Sequence, residues 1–103
     1  MVCLAAEEIY FFEYIGRKIR IVADKEYFMA GRIGRVYERV QPLGFSMPHK
    51  SFVVNMIHVK NVKNQQIYMD NGMEVPLSQK KMKSWKEELT VYLAERLAEE
   101  VGK

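Results

Sequence analysis

The residues best placed to do chemistry lie between Phe45 and Asn55, written FSMPHKSFVVN. His49, Lys50 and Ser51 follow a proline-bounded turn, and Phe52-Val53-Val54 is an apolar, β-branched run that seeks burial. Donor-bearing side chains just ahead of a buried strand make a rigidly held contact loop for an anion or a nucleic acid. The same residues also describe a structural histidine beside a solvated lysine. A second candidate is Ser78-Gln79-Lys80-Lys81-Met82-Lys83, where lysines crowd the predicted start of a helix. Positive charge there opposes the helix dipole by roughly 0.3–1 kcal/mol per residue. Unpaired N–H groups at the same end favour a bound phosphate. Exposed lysines tolerated at a small, salt-screened cost would look alike.

Other chemistries find little material. His49 and His58 stand apart, without the carboxylate or thiolate spacing of a metal site. Cys3 is the single cysteine, so no internal disulfide can form, which suits a reducing compartment. Gly31-Arg32-Ile33-Gly34 lacks the Gly-Lys-Ser/Thr of a phosphate-cradling loop. Asp70 and Glu74 are the acids of the middle third and flank a turn, a poor setting for paired-carboxylate catalysis. The reading is therefore of a non-enzyme without a metal or cofactor.

The elements that must position these residues are short. Residues 1–8 read as a leader or linker remnant, and the domain as 9–103. Ile9 to Tyr14 and Lys18 to Ile21 form a hairpin through Ile15-Gly16-Arg17, with one core face and one basic face. Asp24-Lys25-Glu26 turns the chain into a third strand at Tyr27 to Ala30. Ile33, Val36, Tyr37 and Val40 then fall at helical spacing and predict a short amphipathic helix, ended by Gln41-Pro42-Leu43-Gly44. Val59 to Val62, Ile67 to Met69 and Met73 to Leu77 are brief strands. Asn71-Gly72 predicts a type I′ turn between the last two, and Pro76 confines its strand to an edge. Ser78 is the predicted N-cap of a helix over about 79–101, with Met82, Trp85, Leu89, Leu93, Leu97 and Val101 on one stripe.

At 103 residues and 49% hydrophobic content, the chain forms one domain with a core of its own. Its net charge of +3 is unevenly spread: residues 46–83 hold six Lys/Arg against two Asp/Glu, residues 84–103 three against five. That split favours a polyanionic partner for the middle of the chain. No apolar run reaches the roughly 20 residues that span a bilayer, and the start lacks a signal core. A cytoplasmic setting follows as the expectation.

The pattern resembles the LytTR DNA-binding domains of bacterial response regulators. Ile9-Tyr10-Phe11-Phe12-Glu13 is similar to that family's opening strand. His49-Lys50-Ser51-Phe52-Val53-Val54-Asn55, followed by His58-Val59, is similar to its central signature. Met69-Asp70-Asn71-Gly72 and Val75-Pro76-Leu77-Ser78 are similar to its closing hairpin and exit. The resemblance implies a mainly β fold, an elongated stack of small antiparallel sheets with a short central helix and a longer C-terminal one. It also implies that loops enter successive grooves of double-stranded DNA as the output of a transcription regulator, part of a two-component system. The implied contacts are Arg17, Lys18, His49, Lys50, Ser51, Gln79, Lys80 and Lys81. About five neutralised phosphates would give a salt slope near −4 to −5. Met47 and Gln79 stand where many members carry arginine, whose two-pronged contact methionine cannot make and glutamine replaces only in part. The long stripe offers an alternative, a protein-interaction or dimerisation module with DNA binding weakened or lost; within the DNA reading, the partner expected besides DNA is a second copy on repeated sites.

Overall fold

The computed structural model describes residues 3–102. Alternation of side chains organises its first sheet. In β1 (Phe11–Ile15), Phe11 and Phe12 are both buried but point to opposite sides. β2 (Lys18–Val22) and β3 (Glu26–Met29) pair beside it, antiparallel. The helix α1 (Ile33–Val40) follows, and then β4 (Phe45–His49) and β5 (Phe52–Asn55) complete a five-stranded sheet of order β3-β2-β1-β5-β4. β6 (Val59–Lys63), β7 (Gln66–Met69) and β8 (Glu74–Pro76) make a second sheet of three strands. α2 (Met82–Val101) closes the chain.

The five-stranded sheet is covered on both faces, which explains the unbroken apolar run of β5. Phe12, Ile19, Phe45 and Val53 pack under Val36 of α1. Phe11, Val22 and Val54 pack on the other face against Ile67, Met69 and Val75 of the small sheet and against Trp85. The body measures 40 × 33 × 25 Å. Pro76 lies in β8, an edge strand, where its missing N–H costs no ladder bond.

Several local expectations need correction. Ala6–Glu8, read as leader, forms one 3-10 turn, because the buried Asn55 donates from Nδ2 to the Ala6 and Ile9 carbonyls at 3.2 and 2.9 Å. His58 fastens the same turn, with Nε2 2.6 Å from the Glu7 carbonyl and Nδ1 2.9 Å from Asp70. Residues 3–5, also read as leader, form no regular element, and Met1 and Val2 lie outside the described residues. The stretch through Pro48, read as a turn, is strand β4, with a register shift between Ser46 and His49 that takes up the proline. Asn71 does not adopt the left-handed conformation. Its side chain accepts the Met73 N–H at 3.0 Å, and Gly72 takes φ 88° in a loop closed by Gly72 N–H to Met69 O.

The helix start also differs. Ser78 precedes a 3-10 turn, Gln79–Lys81, and makes no side-chain cap bond, while α2 begins at Met82 with Lys81 at the N-cap. The predicted stripe is only half used. Trp85 is buried, but Leu93, Leu97 and Val101 are 52%, 60% and 76% exposed, since α2 outruns the sheet that it packs on.

Candidate nucleic-acid interface

Strand register decides which turns share an end of the molecule. Ile15 pairs with Lys18 at the tip of the β1–β2 hairpin, and His49 pairs with Phe52 at the tip of β4–β5. Glu13 faces Phe52, and Tyr14 N–H donates to Ser51 O at 2.8 Å, so the two tips lie side by side at one end of the sheet. Ser78 N–H donates to Pro48 O at 2.9 Å, which draws the Gln79–Lys81 turn to the same end. Three segments spread through sixty-five positions are thus joined by backbone hydrogen bonds.

Within that end the side chains differ in freedom. Gly16 and Arg17 hold φ 58° and 63°, the left-handed pair of a two-residue hairpin turn whose twist matches its strands. Arg17, Lys18, Lys50, Gln79 and Lys80 are exposed. His49 is half-buried, its ring edge-on to Phe52 at 5.6 Å, and Nδ1 accepts the Ser51 N–H at 3.1 Å. That bond fixes the ring and half-buries Ser51. Lys81 departs from the expectation of a free cation. It is half-buried, and Nζ donates to Met47 O at 3.3 Å. Arg20, on the basic face of the hairpin, is also engaged: its guanidinium lies 2.6 Å from Glu13 and 3.3 Å from Glu26.

The profile of the LytTr DNA-binding domain matches residues 1–90. The chain belongs to the LytTR family. It is 27% identical over 92 residues to the sensory transduction protein LytT of Enterococcus faecalis, covering 84% of this chain and 38% of that protein. The LytTR domain therefore spans well under half the length of that curated relative. A LytTr DNA-binding domain from Bacillus cereus has the same fold, with a TM-score of 0.75 at 23% identity over 85% of this chain and 86% of the other. The DNA-binding class expected from the sequence stands on the family match, and the mainly β architecture on the Bacillus cereus likeness and the sheet order.

What fixes the third segment of the LytTR domain escaped the sequence reading. Trp85 Nε1–H donates to Ser46 Oγ at 2.8 Å, and both residues are buried, at 3% and 0% exposure. This bond seats the start of α2 on β4, and Lys81 to Met47 O reinforces it one turn earlier. A lone serine ahead of a proline carried no local signal of a partner 39 positions away. Glu88, one turn on from Trp85, has its carboxyl held above the usual range by burial, opposed by the Lys81 charge, and Oε2 is buried without a partner. Burial, and then Glu88, push the Tyr37 phenol up. Among the described residues, no three His, Cys, Asp or Glu side chains gather as a metal site would, and no helix is long and apolar enough to cross a membrane.

Proposed function

We propose that this LytTR domain binds double-stranded DNA sequence-specifically as the cytoplasmic output of a bacterial transcription regulator. The juxtaposition of the 16–17, 50–51 and 79–81 turns at one end carries the reading. In it Arg17, Lys18, Lys50 and Lys80 hold phosphates, and His49 and Ser51 shape the second turn. Gln79 reaches base edges, where an amide suits adenine. Lys81, tied to β4, is a positioning residue.

Four free cations in place of five lower the expected salt slope to about −3.6. Duplexes selected from a random pool and followed by fluorescence anisotropy test this. Enrichment of one motif with a slope of that value or steeper supports it, and a flat salt response ends it.

The exposure of Leu93, Leu97 and Val101 favours a second reading within the first. Three exposed side chains fall well short of the roughly 20–30 residues a side of a stable dimer. They suit a weak contact between two copies already bound to neighbouring DNA sites. Light scattering should find the free chain monomeric. Leu93→Glu with Leu97→Glu should abolish cooperativity on a two-site duplex and spare single-site affinity; unchanged cooperativity refutes the contact.

A further inference from the structure

A fourth turn reaches the same end of the molecule and belongs to none of the expected contacts. β6 and β7 are joined at Asn64-Gln65, with Lys63 opposite Gln66 at the base of the turn. Gln66 faces Pro76, and Leu77 N–H donates to Gln65 O at 3.0 Å. The next residue, Ser78, is the one bonded to Pro48 O. The turn is therefore two backbone hydrogen bonds away from the His49-Lys50 tip and one from the Gln79–Lys81 segment.

Its side chains are unlike other amides of the same half. Asn55 is spent on the Ala6 and Ile9 carbonyls, Asn61 accepts the Val62 N–H, and Asn71 accepts the Met73 N–H. Among the described residues Asn64, Gln65 and Gln66 have no such side-chain bonds. They line an open hollow of about 650 Å³ with Met82 and Lys86. Lys86 is exposed on its lining, and the exposed Lys63 directly precedes Asn64. A small molecule would stay mostly in water there, whereas ligand sites enclose most of their ligand. A wide concavity that offers paired donors and acceptors between two cations instead matches the edge of a nucleic-acid groove. Side-chain amides pair bidentately with adenine N6 and N7, and lysines hold the flanking phosphates.

We infer that the β6–β7 turn is a fourth DNA contact of this domain, in which Lys63 and Lys86 hold phosphates and Asn64 and Gln65 read base edges, A·T pairs foremost. The inference rests on the DNA-binding reading above. Asn64 sits at φ 57°, so Asn64→Gly removes the amide and keeps the turn.

The test uses the duplex recovered by selection with the unaltered chain, and a random-sequence duplex beside it. With Lys63 and Lys86 added to the four cations of the other turns, the parent's slope should steepen from about −3.6 to about −5.4, and Lys63→Ala should weaken binding to both duplexes alike and bring it back by about 0.9. Asn64→Gly and Gln65→Ala should keep the slope and flatten base preference at one end of the motif. Discrimination there should fall roughly five- to hundredfold. Circular dichroism melts confirm that each variant is folded. If these variants bind like the parent while Lys50→Ala weakens binding, the fourth contact is overturned and the DNA reading survives. If Lys50→Ala is silent too, the DNA reading falls and takes this inference with it.

Discussion

Replacing Arg17 by asparagine should move folding and binding in opposite directions. Arg17 holds φ 63° at the second position of the β1–β2 turn, a conformation costing an ordinary L-residue roughly 1–2 kcal/mol. Asparagine visits it more readily because its short side chain bonds locally. Relief of about 0.5–1 kcal/mol is expected, which for a domain of this size raises Tm by roughly 2–8 °C. Binding loses one phosphate contact, so with the four cations of the first three turns alone the salt slope falls from about −3.6 to about −2.7. Between 50 and 200 mM salt the parent should then lose about 150-fold in affinity and the variant about 40-fold. Circular dichroism melts and anisotropy titrations at the two salts read both quantities on one preparation. A variant that melts lower and keeps the parent's salt response would show that Arg17 shapes the turn and touches no phosphate.

Two further perturbations probe the seat of α2. Ser46→Ala leaves the buried Trp85 N–H without an acceptor, at a cost of about 1–3 kcal/mol, and Trp85→Phe leaves Ser46 Oγ without its donor and adds a packing loss. The double variant should cost less than the two together by about 1 kcal/mol or more, measured by urea unfolding; strict additivity would show that the bond contributes nothing. Glu88→Gln should melt higher than the parent at pH 7. Burial raises the native carboxyl above its unfolded value, so the native state takes up the proton first as pH falls, and the ionised group destabilises at and above its raised range. The advantage should close as pH drops toward about 4, the ordinary carboxylate range. A lower Tm for Glu88→Gln at pH 7 would mean that attraction to Lys81 outweighs burial.

Local patterns reveal what local patterns determine. The Gly16-Arg17 turn, the helix at Ile33–Val40 and the burial of Phe52-Val53-Val54 follow from residue types within a few positions of one another. The pairing of Glu13 with Arg20 was also within reach, because a two-residue turn at 16–17 sets those residues opposite each other. The basic face of that hairpin could have been read as neutralised in part. Ser46 with Trp85, and Asn55 with Ala6, join positions 39 and 49 apart, and no periodicity carries such pairs. The same holds for Lys80 and Lys81. Neighbours of identical type, they part company only because β4 brings a carbonyl to one of them.

The charge split along the sequence becomes a split in space once α2 is followed past its seat. Trp85 meets Ser46 near the start of β4, and Tyr92 reaches Gly44, just beyond that end of the strand and remote from the turns. A groove of about 510 Å³ between Gln41–Leu43 and α2 lies at that remote end and is bordered by Glu88, Glu95 and Glu99, with Arg96 as its cation. The exposed cations of the turns and the carboxylates along the overhang of α2 thus lie at different ends of that helix. A polyanion approaching the wrong end is repelled and one approaching the turns is drawn in, so the molecule is oriented before any contact forms. Lysine in place of Glu95 and Glu99 should raise affinity for random duplexes more than for the selected motif, because it gives DNA a second place to land. Equal gains on both would mean that only net charge matters, and that the separation of signs along α2 contributes nothing to orientation.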